Sequence, residues 1–480
     1  MKAAVQHILD IFEEINKVPR QSEKEEKIHK WLTDWAGSNG FSYLTDESLN
    51  VNIKIPATKG YENAPSLVLQ GHMDMVCEKV DGSSHDFSKD PIKHVIQGDW
   101  LSADGTSLGA DNGIAIAMAL AAALDKNIEH PAFEILITTA EETGLYGANA
   151  LKPGFVDGKI LLNLDSEDEG VFTVGCAGGN DTLIHLPVEF EDIPDEFELI
   201  QLTVTGLLGG HSGVDINANR ENSNVLVTRL ISDIRMEVEA HLVDLFGGTA
   251  HNSLARTSET VLAIKKEKKS KLEEVVKSIE DIFKIENSVV DRGLVIKIGK
   301  AGRTHTKMLT EDSAITAINL LLSLPHGVLK MSAAIKGLVQ TSNNIAIIKM
   351  EEDNLFIHCS QRSSIMSDLN YTSNKLEAAA QLAGAESEVI IKYPAWMPNM
   401  DSPLLKKCKE VYSVTFGKEP VIEAIHAGLE CGVVGSIYDG MDMISFGPNI
   451  SDCHSPDEKM QISSVGLVWE FLIALFKSFK

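Results

Sequence analysis

Residues 133–147, Phe-Glu-Ile-Leu-Ile-Thr-Thr-Ala-Glu-Glu-Thr-Gly-Leu-Tyr-Gly, constrain the fold more than any other stretch of this 480-residue chain. They open on an apolar run, Phe133 to Ile137, pass through Thr138 and Thr139, and break at Ala140-Glu141-Glu142-Thr143-Gly144. An apolar run bounded by a polar turn reads as a buried strand of a parallel sheet. The turn then lies at the strand's carboxyl end, where open α/β sheets place their ligands. Two adjacent carboxylates there are costly unless a cation or a shared proton compensates them. One can hold a metal while its neighbour acts as a general base. Alone, a Glu-Glu pair is an ordinary solvated loop. The rest of the chain decides.

The same texture recurs nearby. Ser66 to Leu69 is strand-like and runs into Gly71-His72-Met73-Asp74-Met75. On a strand, His72 and Asp74 share a face, a spacing that suits a metal-binding imidazole steadied by a carboxylate. Trp100 to Ser107 reads as a loop. Leu108-Gly109-Ala110-Asp111-Asn112-Gly113 then makes a tight turn into an Ala-rich helix that begins at Ile114. Lys159 to Leu164 is another apolar strand, and it too ends in acids: Asp165, Glu167 and Asp168. Strand, acid, helix and strand repeat from 66 to 165, as a doubly wound α/β domain requires. Two amphipathic helices, 4–17 and 23–35, precede it, with a strand at 51–55.

From about 186 the texture changes. A half-exposed strand, 199–205, leads into the glycine-rich Gly206 to Ile216, and 222–238 is helical. Strand-like runs at 247–252 and 260–265 and a Lys/Glu-rich helix at 268–285 follow. A similar order returns: strand 294–298, helix 311–324, strands 342–349 and 354–360, helix 371–383. The pattern points to a duplicated β-α-β-β unit inside an inserted α+β domain. Tyr393-Pro394-Ala395-Trp396-Met397-Pro398 reads as a linker, after which helices 402–416 and 462–478 resume the first texture. The expected domains are 1–186 and 394–480 for one discontinuous α/β unit, with 187–393 inserted.

Length alone favours more than one core. The formal net charge of −26 argues against nucleic acid and anionic membrane as partners, because both demand Lys/Arg surfaces. The longest apolar segment, Ile114 to Leu124, is too short to span a bilayer. Met1 leads into a charged, helix-like segment rather than a signal peptide. The six cysteines show no CxxC spacing, which suits free thiols in a reducing compartment. Cys453 reads as a small packed residue. The expectation is a cytoplasmic protein.

His72, Asp111, Glu142, Asp165 and His454 all fall near the ends of predicted strands. Two imidazoles and three carboxylates form a nitrogen/oxygen set suited to zinc, with manganese or cobalt as substitutes. Five side chains serve two tetrahedral metals only if one bridges, and a carboxylate can. Glu141 is then spare as the base.

The order Gly-His-Met-Asp-Met-Val, Leu-Gly-Ala-Asp-Asn-Gly, Ala-Glu-Glu-Thr-Gly, Asn-Leu-Asp-Ser-Glu-Asp, Gly-Gly-His-Ser-Gly and His-Ser-Pro-Asp-Glu resembles the cocatalytic zinc peptidase family of aminoacylases, glutamate carboxypeptidases and dipeptidases. The resemblance covers essentially the whole chain, and His426-Ala427-Gly428-Leu429-Glu430-Cys431-Gly432 belongs to its dipeptidase branch. It implies an α/β fold: a discontinuous catalytic domain with a mostly parallel sheet, plus an inserted α+β lid domain. It further implies two divalent metals, His72 and Asp165 on one and Glu142 and His454 on the other, bridged by Asp111. The peptide bond after Asp111 is expected to be cis, Asp74 to orient His72, and Glu141 to act as general base. In the lid, His211 would stabilise the transition state, Asn252 and Arg362 would hold the substrate's C-terminal carboxylate, and Gly428 and Glu430 would line the amine side of the pocket. The implied activity is hydrolysis of dipeptides with a free N-terminus, Xaa-His included, by a homodimer. The alternatives are an aminoacylase or tripeptidase on the same scaffold, or an inactive metal-binding protein.

Overall fold

In the computed structural model, which describes residues 2–301 and 305–480, the runs Phe133–Thr138, Leu67–His72, Ile160–Asn163 and Asp442–Ser445 lie side by side as parallel strands. The first two are buried at every position, which is why they read as unbroken apolar runs rather than as an alternation. Val51–Ile55 and Ser42–Thr45 extend the sheet antiparallel on one side, and Val171–Cys176 joins antiparallel on the other. The Ala-rich helix Ala110–Leu124 packs against Leu67–His72. Small residues permit the approach: a Cβ on Gly71 would lie 3.1 Å from the Ala115 Cβ. Helix Lys2–Asn16 packs on this helix and on the last one, Ile462–Lys477. Trp100–Ala103, expected in a loop, is a strand of a separate four-stranded sheet and pairs with Lys459–Gln461.

These elements form one of two units, made of the chain up to Cys176, Trp396–Ala424 and Leu429–Lys480; the other is Ala177–Ala395 with Ile425–Gly428. The second unit therefore begins ten residues before the expected boundary of 187. The reason is Gly178–Pro187, a ten-residue strand paired with Asn354–Ser363 on one side and Glu386–Tyr393 on the other. The two glycines at its start, Gly178 and Gly179, hid it from a propensity reading.

The second unit is built on a nine-stranded sheet whose ladders are antiparallel. Along Phe197–Thr205 only Ile200, Leu202 and Val204 are buried, the period-2 alternation of a sheet with one face packed. That face meets helices Ser223–Glu237, Lys269–Glu286, Glu311–Ser323 and Met366–Leu382 in a shared apolar core. Apart from the two-residue strands Gly210–His211 and Ser253–Leu254, the order strand, helix, two strands, helix, strand runs once over residues 197–300 and again, with an added hairpin strand, over 307–393. The strand expected at 247–252 lies earlier, at Ala240–Gly247, and Gly248 (φ +76°) turns the chain out of it.

Candidate functional site

In the first unit, four chain segments deliver side chains to the carboxyl ends of the parallel strands. His72 is the last residue of Leu67–His72, Asp165 follows Ile160–Asn163, and Glu141 and Glu142 follow Phe133–Thr138. His454 comes from the loop between Ile450–Ser451 and Lys459–Gln461. Asp111 enters from the first turn of Ala110–Leu124, where the backbone departs from helical geometry and the Asp111–Asn112 peptide is cis.

Asp111 lies between two groups. Its Oδ1 is 3.1 Å from the His72 Nε2, which is also 3.6 Å from the Asp165 Oδ1. Its Oδ2 is 3.2 Å from the His454 Nε2, which is 2.9 Å from the Glu142 Oε2. Two triads result, His72–Asp111–Asp165 and Asp111–Glu142–His454, each with its donor atoms within 4.8 Å of one another. All five expected ligands come together in them. Glu167 and Cys453 form a further group with Asp111 that the sequence did not single out.

The supporting shell holds these side chains through backbone groups. Asp74 is fully buried; it accepts from the Ser22 hydroxyl (2.8 Å) and from the backbone N–H of Glu141 (3.1 Å) and Glu142 (3.3 Å), and its Oδ1 faces the His72 Nδ1 at 3.3 Å. It therefore fixes the Glu pair as well as the imidazole. Glu458 accepts from four consecutive backbone N–H groups, Leu108 to Asp111, at 2.7 to 3.3 Å. Arg20, 2% exposed, donates to the carbonyls of Met73, Asp74 and Gly109 and to the Asn16 side chain. The absence of a Cβ at Gly109 makes room for it: one there would sit 2.2 Å from the Arg20 Nη2.

Glu430 is placed differently from expectation. Its side chain is fully buried in the first unit and accepts from Gln70 (2.5 Å) and Thr138 (2.7 Å), so it supports the strand ends instead of lining a pocket. Asn163 continues this buried chain by donating to Gln70.

The electrostatics test whether metals fit. Burial pushes Asp165 up to about 7 and Glu141 well above the carboxylate range, with Asp165, Glu430 and Glu142 adding to the effect on Glu141. Burial would also raise Asp111, but His454 and His72 outweigh it and pull that carboxyl below its usual value. Hydrogen bonds that His454 donates to Asp111 and Glu142 raise it to about 11. The Glu142 Oε1 is buried and has no hydrogen-bond partner among the described residues. Five carboxylates, with Asp74 included, crowd around two imidazoles. A donor set of this kind, with an uncompensated acidic surplus out of water, fits divalent cations.

The remaining expected residues lie in the second unit. His211 is half-buried in a short strand; its Nδ1 accepts from the backbone N–H of Gly213 (3.2 Å) and Val214 (3.1 Å). Burial, then Arg362, push it down to about 4. Arg362 is 7% exposed and stands opposite Ser342 and Gly179 in the sheet, with its Nη1 donating to the Tyr393 hydroxyl at 2.6 Å. Asn252 is exposed, and its carbonyl accepts from the Ser212 N–H at 2.8 Å. Gly428 packs on Tyr393: a Cβ there would meet the ring at 2.8 Å, which is why the position is glycine. His251 stacks on His358, which lies 3.1 Å from the Asp181 Oδ2.

The residues that sequence reasoning missed are mostly supports. Glu458 sits four positions after His454, in a motif that could have flagged it. Arg20 and Gln70 carried no local signal. The cysteines are free; four are buried, and Cys77 and Cys453 are half-buried.

The family model described as peptidase family M20/M25/M40 matches residues 68–478. The chain is 40% identical over 472 residues to the cytosol non-specific dipeptidase of Escherichia coli (strain K12), covering 98% of this chain and 97% of that one. It superimposes on the crystal structure of aminoacylhistidine dipeptidase from Vibrio alginolyticus with a TM-score of 0.90 and 39% identity, over 98% and 96% of the two chains. The aminopeptidase PepT of Bacillus cereus, at 18% identity and a TM-score of 0.58 over 99% and 98% of the chains, shares the fold.

Proposed function

Because the chain belongs to peptidase family M20/M25/M40 and is a dipeptidase, we propose that it hydrolyses dipeptides with a free N-terminus, Xaa-His among them, using two divalent metals. The observation that carries this reading is Asp111 shared between the two donor triads of the first unit. His72 and Asp165 would hold one metal, Glu142 and His454 the other, and Asp111 both. When bound, the ions supply an activated water and polarise the scissile carbonyl.

The protein's own residues do the rest. Glu141, raised by burial and fixed at its backbone by Asp74, takes the proton from the attacking water at its carboxylate and returns it to the leaving amine. Asp74 keeps the His72 ring oriented, so that Nε2 faces Asp111 and Asp165. Glu458 and Arg20 hold the backbone of the 108–111 and 73–74 segments, so that the donor atoms are preorganised. In the second unit, Arg362 and Asn252 would hold the substrate's C-terminal carboxylate, and His211, which burial and Arg362 keep uncharged, would stabilise the transition state.

Zinc, a cytosolic location and a homodimer complete the proposal. The nitrogen/oxygen donor set supports zinc. Six free cysteines and the name of the Escherichia coli relative support the location. The dimer rests on the family resemblance. No described helix is long and apolar enough to cross a membrane.

The test is turnover of a small panel by metal-stripped and zinc-reloaded protein: β-Ala-His, Gly-His, Leu-Gly, a tripeptide and an N-acetyl amino acid. Dipeptide cleavage that zinc restores, with the tripeptide and acetyl compound untouched, is the expected result. Cleavage of the acetyl compound alone would replace this reading with an aminoacylase, and of the tripeptide alone with a tripeptidase.

A further inference from the structure

Strand Val339–Met350 of the second unit carries two asparagines, Asn343 and Asn344, and both are fully buried. Asparagine is depleted in strands, and an amide out of water must find partners for its donor and its acceptor. Neighbours along a strand point to opposite faces, so the two amides serve different structures. Asn343 donates to the Pro325 carbonyl (2.6 Å) and accepts from the Gln361 side chain (3.0 Å). It ties the sheet to the turn before Gly327–Met331. Asn344 reaches elsewhere. Its Nδ2 donates to the Ser253 carbonyl (2.8 Å), and its Oδ1 accepts from Asn222 (3.0 Å).

Ser253 belongs to a ribbon outside the nine-stranded sheet, made of two residue pairs: His211 with Ser253 and Gly210 with Leu254. The Asn252 carbonyl accepts from the Ser212 N–H beside it, so the ribbon carries both His211 and Asn252. A two-stranded ladder this short does not hold itself in place. Leu254 seats it on the sheet by packing with Val339 and Ile216. Apolar packing has no direction, so the orientation of the ribbon comes from its hydrogen bonds. The Ala255 carbonyl accepts from the Ser223 N–H at 2.9 Å, and the Ser253 carbonyl accepts from Asn344. The second bond is fixed by a chain of necessity. The Asn222 Oδ1 caps helix Ser223–Glu237 by accepting from the Asn224 N–H (2.8 Å). The Asn222 Nδ2 must then face Asn344, which turns the Asn344 oxygen towards it and the Asn344 donor towards Ser253.

We propose that Asn344 is a positioning residue for the reaction: through the Ser253 carbonyl it sets the ribbon that carries His211, and with it the place of that imidazole on the transition state. This rests on the role given to His211 above and adds a residue that provides none of the metal donors and acts through another group. Only a side chain with a donor on one atom and an acceptor on the next can join the helix cap to the ribbon in this way.

The experiment is a double-mutant cycle on zinc-loaded protein with Leu-Gly as substrate: Asn344→Ala and Asn344→Asp, each made in the wild type and in His211→Ala. Asn344→Asp keeps the volume and the acceptor for Asn222, and sets an oxygen against the Ser253 carbonyl in place of the donor. A misplacement of about 1 Å costs about 100-fold, so both variants should lower kcat by about 10- to 100-fold with zinc content unchanged. In the His211→Ala background the same changes should cost less than about 3-fold, because residues that act through one group are not additive. Equal losses in both backgrounds would make Asn344 a structural residue and overturn the inference alone. So would an unchanged kcat, or loss of the thermal unfolding transition in both variants. If His211→Ala by itself turned over like the wild type, the role of His211 would fall and the inference with it, while dipeptide cleavage stood. A wild type that cleaves no dipeptide would overturn the dipeptidase reading and everything that rests on it.

Discussion

The two units carry opposite electrostatic problems. The first gathers Asp74, Asp111, Glu141, Glu142 and Asp165 around two imidazoles, and burial raises Glu141 and Asp165 because nothing nearby neutralises them fully. The second buries Arg362 beside two imidazoles that burial keeps uncharged, and no carboxylate pairs with Arg362 among the described residues. One site is short of cations and the other of an anion. Neither would be built for stability alone, since unpaired buried polar groups each cost about 1–3 kcal/mol. The lesson of the contrast is that each cluster identifies its ligand by the charge it lacks. It also separates their expected contributions: chemistry and metal content to the first unit, recognition of the substrate's carboxylate to the second.

The comparison can be broken most severely at Glu141. Glu141→Gln should lower kcat by about 10³-fold while metal content and KM stay close to wild type. Metal analysis of the purified variant beside its kinetics decides the matter; metals lost together with activity would make Glu141 a ligand, not a base.

A smaller effect is expected at Glu458. Replacing the carboxylate by an amide, Glu458→Gln, exchanges one acceptor oxygen for a donor that faces backbone N–H groups. Asp111 should then be held less firmly, and metal affinity should fall about 10- to 100-fold, as for other residues that orient ligands. A chelator competition titration measures this, and unchanged affinity would remove Glu458 from the support of the site.

The smallest effect concerns the second unit and its pH dependence. His426 in the folded protein is pushed down to about 3, whereas the unfolded chain titrates near 6.5. Between those values the unfolded state binds more protons, so this group lowers stability as pH falls from about 6.5 towards 3. His426→Asn lacks that titration. The Tm difference between wild type and variant should therefore shift against the wild type between pH 7 and pH 5, by a few degrees. A pH-independent difference would mean that His426 is not held neutral.

How much of this was legible depends on range in sequence. The metal-binding candidates were readable because each follows an apolar run within a few residues: His72 ends Leu67–His72, and Asp165 comes two residues after Ile160–Asn163. The helices were readable for the same reason, since their periodicity is local. The long strand Gly178–Pro187 was not, because its leading glycines carry no strand propensity and only pairing on both sides makes it a strand. Glu430 was assigned to a pocket on the strength of its motif. Its partners, Gln70 and Thr138, are 360 and 292 positions away, and no pattern around residue 430 announces them.

The sequence by itself determined the alternation of buried strands with acids, the change of texture that marks an inserted domain, and the residue types of the metal site. Those features are set by local hydrophobic periodicity and by the cost of placing carboxylates at strand ends. Only the tertiary structure decided that Asp111 stands between the two triads, that Glu458 closes on four amides nearly 350 positions upstream, and that the His211 and Arg362 side chains meet at Gly213. A buried side chain's partner is selected by desolvation and geometry among all segments that packing brings together, and that choice is made across the fold rather than along the chain.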